Sequence, residues 1–594
     1  MEQLKARKEM DPAYTWDFTD LYPSDEAWEQ EVSALKAEIP ALAALKGTMT
    51  SADNLKNLLD RMYAVEERLA LAMEYAFFHV STDNGDPAYQ RMQGMVQQLM
   101  AEYAGATSFI RPEILAVDEE VLNGWMAGED MAVYRHIVEN ISRARAHTLP
   151  AEQEALLTQF SKVNGAPDQI ASMLMDVDLH YPDVIDENGN PSPLTNGNFG
   201  VYRESKSQAV RKDSFEKYMG AYKQYINTLS ANYSSQVWLD NAYARIRGYA
   251  SACEASLDEA NVPVKVYDEL VENVHAALPD MRRYLELRKE VLGLSILNMY
   301  DLYCPMVEDI DYPMPYEEGK KLVKKALAPL GGRYGQLLDE AFNNHWIDVY
   351  ENQGKTSGAY SSGVYGHHSF VLLNYTDTLD DAFTLAHELG HAMHSYFSNE
   401  AQPYCNSDYF ITVAEVASTV NEVLLTKYLL ATETDPRRRA YVLNHFLEGF
   451  RTTVFRQTLF AEFERQAHDL DQAGTPLTAE GLNKVYHDLN ALYYDGAVVN
   501  PLQDVEWARI PHFYRAFYVY QYATGFCSAV AIADHILKTG DASDYLKFLS
   551  TGGSDYPLNE LKIAGVDLTK PDTVQSAMKV FAETVSELEA LLKA

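Results

Sequence analysis

A single stretch, residues 378–398 with the sequence TLDDAFTLAHELGHAMHSYFS, constrains this chain more than any other. Its apolar residues recur at steps of three and four, which predicts one buried amphipathic helix. The first Thr, with an Asp three residues later, is typical of a capping box at a helix start. On another side of the helix, polar residues form a second stripe that contains His387, Glu388 and His391.

These three residues form an H-E-x-x-H motif. Residues four apart share one face of a helix, so His387 and His391 can reach the same ion. Glu388 lies about 100° round the helix from His387, which is close to that ion but unsuited to a third ligand. The pattern favours zinc held by two imidazoles, with Glu388 as the general base for a zinc-bound water.

Two simpler interpretations are a solvated helix face and a chance match to a short motif. A solvated face usually carries Lys and Arg, and residues 378–398 contain neither. A helix with one apolar side and one side rich in His and Glu is more typical of the wall of a polar cavity. The motif and its helix together therefore favour a metal site.

A second helix is predicted from about Asp408, and it carries Glu415 among Val and Ala residues. A carboxylate in apolar surroundings is costly to bury without a partner, and a metal ion would supply one. Two His and one Glu would complete a catalytic zinc site that keeps a fourth position for water. Glu422, two turns further on, is a candidate to orient a ligand His. The alternative is that Glu415 pairs with an Arg elsewhere.

The remaining pattern is mostly helical, so we predict a mostly α fold, with residues 264–292 as one long helix. Residues 186–200 contain two Asn-Gly turn signals, which predict a small β excursion near a domain boundary. We therefore expect an N-terminal helical lobe at 1–195 and a catalytic domain at 196–594. An apolar run at 370–375 predicts a strand, and so a small β-sheet beside the motif helix.

The stretch 510–528, IPHFYRAFYVYQYATGFCS, is unusually rich in aromatic residues and is predicted to be helical. One interpretation is aromatic packing in the core. The other is that its hydroxyls and imidazole line a peptide channel and donate hydrogen bonds to the oxyanion of a tetrahedral intermediate.

Charge and composition exclude several classes of partner. The net charge of −37 repels phosphate backbones, so we expect no nucleic-acid partner. No apolar run approaches the roughly 18 residues of a membrane span, and the N-terminal residues do not resemble a signal peptide. The four cysteines are widely scattered, which is typical of reduced thiols in a cytoplasmic protein. The sequence does not indicate the oligomeric state.

Five segments together resemble oligoendopeptidase F, among the thimet-oligopeptidase-like zinc metallopeptidases. They are WDFTDLYPSDEAW, NYTDTLDDAFTLAHELGHAMHSYFS, TVAEVASTVNE, PHFYRAFYVYQYATGF and GGSDYPLNELKIAGVD, and the resemblance runs essentially end to end. It implies a two-lobed helical ellipsoid with a deep central channel. It also implies cleavage of internal bonds in short unstructured oligopeptides, with folded proteins excluded by the channel width.

The resemblance also implies roles for residues of the two metal helices. His387, His391 and Glu415 correspond to the ligands of one zinc ion per chain. Glu388 corresponds to the general base.

In the aromatic stretch, His512 resembles the family's His that binds substrate and the oxyanion. Tyr518 and Tyr522 match the family's tyrosines only with a one-residue offset, and they are our candidate hydroxyl donors. The offset leaves open which of Tyr514, Tyr518, Tyr520 and Tyr522 acts as the donor.

The leading hypothesis is a zinc endopeptidase that acts through a Glu-activated water. A metallo-exopeptidase with the same ligands would need a charged pocket for a peptide terminus, which the sequence does not locate. A non-catalytic helical protein that binds peptides is a third reading, but binding alone does not require the general base Glu388.

Overall fold

The computed structural model describes residues 4–307 and 312–593, and most of them are helical. The chain forms two compact units, each discontinuous in sequence. Unit 1 comprises Met1–Ala146, Tyr312–Tyr428 and Ile532–Gly565, and unit 2 comprises His147–Asp311, Leu429–Ala531 and Val566–Ala594. The predicted division at residue 195 coincides with none of these boundaries and stays a prediction. A break in the helical pattern marks a change of local structure. It does not show into which of the two units each later segment of the chain packs.

Twenty-six α-helices and five short strands are described, and the fold is mostly α as expected. The strands are β1 (Val184–Ile185), β2 (Pro191–Ser192), β3 (Ile347–Asp348), β4 (Tyr360–Ser362) and β5 (Phe370–Leu372). The helices are α1 (Asp25–Ala43), α2 (Ala52–Thr82), α3 (Pro87–Thr107), α4 (Ile110–Ala116), α5 (Glu119–Met126), α6 (Arg135–Arg143), α7 (Ala151–Thr158), α8 (Ser161–Asn164), α9 (Ala166–Met173), α10 (Phe199–Glu204), α11 (Gln208–Gln224), α12 (Ile226–Ile246), α13 (Ala252–Asp258), α14 (Val264–Ala276), α15 (Leu278–Val291), α16 (Tyr316–Ala326), α17 (Gly332–Asn343), α18 (Leu379–Ala401), α19 (Ile411–Thr432), α20 (Pro436–Gly449), α21 (Arg456–Gln472), α22 (Ala479–Tyr493), α23 (Tyr520–Thr539), α24 (Ser543–Leu549), α25 (Pro557–Ile563) and α26 (Asp572–Lys593).

A three-stranded sheet in unit 1 precedes the motif helix α18, as predicted. Strand β5 lies between β3, to which it is parallel, and β4, to which it is antiparallel. Strand β4 is therefore an edge strand, with Ser361 paired to Val371 on its inner side. The central strand ends at Leu372, so it is shorter than the predicted run to Tyr375.

The sheet is fixed to the N-terminal helices by aromatic packing. The rings of Phe78 on α2 and Phe370 on β5 stack with their centroids 4.5 Å apart. The Trp16 indole N–H donates to the backbone carbonyl of Trp346, beside β3, at 3.0 Å. These contacts hold the sheet in place next to α18.

A buried ion pair also stabilises the sheet. The Lys355 ammonium lies 2.7 Å from the Asp348 carboxylate, and both side chains are almost fully buried. Lys355 also donates to the carbonyls of Tyr350 and Leu373. Burial raises the pKa of Asp348, but contacts with Arg7 and Lys355 outweigh burial, and the net pKa is lowered. Strand β3 is thus connected to the loop that follows it.

Unit 2 confirms the small β excursion but corrects one helix prediction. Strands β1 and β2 pair antiparallel, within and beside the predicted 186–200 segment. The single helix predicted at 264–292 is wrong, because α14 ends at Ala276 and α15 begins at Leu278. Pro279 lies in the first turn of α15, where it lacks an N–H and its ring would clash with a continuous preceding turn.

The predicted helix over 510–528 is also wrong in its first half. Pro511–Tyr514 forms a 3₁₀ turn, and α23 begins only at Tyr520. Between them, Phe517 has a φ of +55°, which is unusual for a bulky residue. Its backbone N–H donates to the buried Glu464 carboxylate at 2.8 Å, so the non-helical backbone keeps a hydrogen-bond partner.

Among the described residues, no helix is both long enough and apolar enough to cross a membrane.

Candidate metal centre

Helix α18 begins at the predicted capping box. The Thr378 hydroxyl accepts a hydrogen bond from the backbone N–H of Asp381 at 3.2 Å. In return, the Asp381 carboxylate accepts from the Thr378 N–H at 2.9 Å. This cap fixes the first turn of the helix and hence the direction in which the motif residues project.

Helices α18 and α19 meet at a glycine of the motif. A Cβ atom at Gly390 would lie 2.5 Å from the Cα of Ser418, so a larger residue would push the helices apart. Close by, the buried Asn421 amide donates to the carbonyl of Ala386 at 2.9 Å. Its oxygen accepts from the Tyr334 hydroxyl at 3.0 Å. These contacts set both the distance and the register of the two helices.

This close approach brings the three predicted ligands together. The Nε2 atoms of His387 and His391 are 3.2 Å apart, and Glu415 Oε2 lies 3.5 Å and 3.6 Å from them. Tetrahedral zinc with bonds of about 2.0–2.1 Å would separate its ligand atoms by about 3.3–3.4 Å. The donor set and its spacing therefore fit a zinc-type site. Within the described residues, no other group of three or more His, Cys, Asp or Glu side chains is spaced so that it could hold a metal ion.

Neighbouring side chains orient the ligand atoms. Glu422 Oε1 lies 2.7 Å from His387 Nδ1, which leaves Nε2 directed towards the other two ligands. The Ser418 hydroxyl donates to Glu415 Oε2 at 3.0 Å. The carboxylate that the sequence singled out as a partner for a ligand His is thus in contact with that His.

The electrostatics of the group favour a cation. Burial lowers the pKa of His387, but the Glu422 hydrogen bond and the charges of Glu422, Glu388 and Glu415 raise it to about 9. Burial raises the pKa of Glu415, but the hydrogen bond and charge of His391 and the charge of His387 lower it to about 2. Three carboxylates thus surround two imidazoles, and a divalent cation would balance them.

Glu388 lies beside this group without joining it. Its side chain is buried, at 7% exposure, and burial raises its pKa. A raised pKa brings a carboxylate closer to the range in which it can accept and return a proton near neutral pH.

His394, on the same helix, stacks on the Tyr409 ring with centroids 3.7 Å apart, and burial lowers its pKa to about 3, so it is a packing residue.

A cavity of about 530 Å³ in unit 1 continues from the ligand stripe of α18. His387 and His391 are followed at four-residue steps by Ser395 and Asn399, and these two residues line the cavity. Edge strand β4 forms another part of its wall. The lining also includes four carboxylates, those of Glu66, Glu67, Glu74 and Asp408.

The sequence analysis missed this cavity. The four-residue spacing of Ser395 and Asn399 was a visible signal. The acidic residues of α2 gave no such signal in the sequence, because they line the same cavity as α18 only in the folded chain.

The three aromatic-stretch candidates lie together within unit 2. The Tyr522 hydroxyl is 3.4 Å from His512 Nε2, and the rings of Tyr518 and Tyr522 are 5.4 Å apart. Burial, with a smaller contribution from the Arg515 charge, lowers the pKa of His512. A role for these groups at an oxyanion stays a prediction.

Comparisons with known proteins agree with the resemblance inferred from the sequence. Two family sequence models match: Peptidase family M3 over residues 201–580, and Oligopeptidase F over residues 113–181. Oligopeptidase PepF from Bacillus subtilis (strain 168) is 44% identical over 595 residues, covering 99% of this chain and 89% of that protein.

Two solved structures extend the match to the fold. The crystal structure of oligoendopeptidase-F from Enterococcus faecium is 36% identical, with a TM-score of 0.74, over 96% of this chain and 99% of that one. A Chlamydophila abortus protein, provisionally described as a peptidase, is 33% identical with a TM-score of 0.94, over 99% of this chain and 100% of that one.

Replacing Glu415 with Ala should remove the bound metal. The variant leaves two imidazoles without the third ligand, so we expect metal affinity to fall by at least ~100-fold. Metal content after dialysis, measured by mass spectrometry, checks this. Glu400→Ala, an exposed carboxylate at the end of the neighbouring helix α18, is the control and should keep one ion per chain. Stoichiometric metal in Glu415→Ala would show that Glu415 is not a ligand.

Proposed function

The chain belongs to peptidase family M3, and we propose that it is a zinc endopeptidase for short unstructured oligopeptides. That it is a metallo-endopeptidase follows from the family. The choice of zinc is supported by one observation above all. His387 Nε2, His391 Nε2 and Glu415 Oε2 converge at 3.2–3.6 Å, with the donor set that catalytic zinc uses.

We assign the proton transfers of the reaction to Glu388. When bound, zinc supplies a Lewis acid that polarises the peptide carbonyl and lowers the pKa of a coordinated water. Glu388 accepts the proton of the attacking water and delivers it to the departing amine. Its burial supports this role, because a carboxylate with a raised pKa binds and releases a proton more readily near neutral pH.

His512, Tyr518 and Tyr522 are proposed as donors to the oxyanion. The proposal is supported by the resemblance and by their mutual contacts in unit 2. Burial lowers the pKa of His512, which favours a neutral imidazole with one N–H to donate. A tyrosine hydroxyl can donate without a change of charge.

The acidic cavity supports a preference for peptides that carry a basic side chain. Its lining includes Glu66, Glu67, Glu74 and Asp408, and no Lys or Arg is among its described lining residues. The Glu74 carboxylate accepts from Ser362 Oγ on edge strand β4, and burial raises its pKa to about 7. An extended peptide can pair with an edge strand by main-chain hydrogen bonds while its side chains enter adjoining pockets. The exclusion of folded proteins remains an expectation from the resemblance.

We also propose a cytoplasmic location and no nucleic-acid partner. All four cysteines are free thiols, which suits a reducing compartment. The net charge of −37 opposes binding to phosphate backbones.

Replacing Glu388 with Gln should keep the metal and abolish turnover. The amide preserves the shape of the side chain but cannot accept the proton, so kcat should fall by about 10²–10⁴. A fluorogenic peptide blocked at both termini measures internal-bond cleavage without contribution from exopeptidases. Glu400→Gln is the matched control on the same helix. Turnover within tenfold of the wild type would exclude the general-base role.

His512→Ala, Tyr518→Phe and Tyr522→Phe test the oxyanion proposal. Loss of an effective donor should lower kcat by about 10²–10³ with a smaller change in KM.

Tyr249→Phe is the control for these variants, because the Tyr249 hydroxyl, also in unit 2, already donates to Asp258 Oδ2 at 2.8 Å. Metal content should be unchanged in every variant. Normal kcat together with a lower melting temperature would show that these rings only pack.

Replacing Glu66 and Glu67 with Gln tests the role of the cavity. Two blocked peptides that differ only by Lys or norleucine at one position flanking the cut bond are compared by kcat/KM. The wild type should favour Lys by up to about fivefold per carboxylate contact, and the double variant should lose this preference. Glu102→Gln, on α3, is the control. A Lys preference that survives in the double variant would assign specificity to other residues.

A further inference from the structure

Unit 2 gathers one buried and two half-buried arginines around one tyrosine, outside the two metal helices. Arg203 and Arg451 place their guanidinium carbons 3.7 Å and 4.4 Å from the centroid of the Tyr303 ring. Arg456 lines the same small cavity as these three residues. We call Arg203, Arg451 and Arg456 the arginine cluster.

Two carboxylates neutralise only part of the charge in this region. Glu506 pairs with Arg456 at 2.7 Å. Glu448 is shared between Arg451, at 2.6 Å, and Arg288, at 2.5 Å. Arg203 contacts the rings of Phe199 and Tyr303, and in the described part of the chain it makes no ion pair. Arg509 also approaches Glu506, at 3.7 Å, so five guanidinium groups share two carboxylates.

Three donors at the cavity have no acceptor among the described residues. They are Arg203 Nε, Arg451 Nη1 and the Tyr494 hydroxyl, and each belongs to a residue that lines the cavity. The Arg451 side chain is only 1% exposed. A buried charged donor without a hydrogen-bond partner is costly. The cavity therefore lacks a negatively charged hydrogen-bond acceptor.

The size of the cavity restricts what could fill it. Its volume is about 10 Å³, which is room for one particle of about the size of a water molecule. Phe215, Met219 and Leu302 contribute apolar walls, and an organic ligand has no space. A water molecule would accept hydrogen bonds but would leave the surplus positive charge in place.

We propose that this cavity binds one small inorganic anion of the chloride type, held by Arg203, Arg451 and Tyr494. Arg451 lies in the π-helical segment Phe450–Phe455, a local distortion that often accompanies a binding function. The cavity wall also includes Gln503 and Glu506 from the 3₁₀ segment Gln503–Arg509. The anion therefore connects separate segments of unit 2 and stabilises their packing. This inference does not depend on the zinc endopeptidase proposal.

Tyr303 is an internal alternative source of negative charge. Burial raises its pKa, but the charges of Arg456, Arg203 and Arg451 outweigh burial and lower it to about 7. A tyrosinate would balance the arginines without any bound ion, and the experiment must separate the two cases.

The test measures the melting temperature of the full chain in chloride or bromide, with gluconate replacing the halide at constant ionic strength. A specific site should raise the melting temperature saturably, by at least ~2 °C. Arg203→Met should abolish the rise, whereas Arg282→Met, an exposed arginine of unit 2, should keep it. An equal rise in Arg203→Met, or no halide effect in the wild type, would overturn the proposal.

Two further measurements keep the proposal testable if Arg203→Met does not fold. Crystals of the wild type grown in bromide should show an anomalous peak inside the cavity, and an empty cavity would contradict the proposal. Absorbance at 295 nm in gluconate at pH 8 compares the wild type with Tyr303→Phe. A tyrosinate signal that persists unchanged in saturating bromide would assign the negative charge to Tyr303 and overturn the anion site.

Discussion

The close contact between α18 and α19 is the interaction on which the metal centre depends. Two of the proposed ligands lie on one helix and the third on the other, so their spacing is set by how near the helices approach. Gly390 permits that approach, because a Cβ atom there would lie 2.5 Å from the backbone of Ser418. Asn421, hydrogen-bonded to the Ala386 carbonyl, fixes the register. The motif glycine therefore acts through packing, whereas the proposed roles of His387, Glu388 and His391 are chemical.

Charge is distributed differently in the two units. Around the ligands of unit 1, carboxylates outnumber the groups that could balance them, and the neighbouring cavity adds four more. Inside unit 2, guanidinium groups outnumber carboxylates around Tyr303. We propose that a cation balances the first surplus of charge and a small anion the second. The net charge of −37 would not reveal the buried positive cluster, because a sum over the chain hides local surpluses.

Local patterns predicted the parts of the structure that local forces determine. The capping box, the amphipathic stripe of α18 and the small sheet before it were all visible in the sequence, and the structure confirms them. Contacts between distant segments were not visible. Glu464 holds Phe517 out of a helix that the aromatic pattern favoured, and Glu66 lines the same cavity as residues of α18 only in the folded chain. The two discontinuous units likewise depend on segments that return after long excursions.

The most direct test of the central claim is diffraction from zinc-loaded crystals at wavelengths on both sides of the zinc absorption edge. We expect one strong anomalous peak per chain, about 2.0–2.1 Å from His387 Nε2, His391 Nε2 and an oxygen of Glu415. A peak at another group of residues, or an ion held by the two histidines without Glu415, would contradict the proposed metal centre.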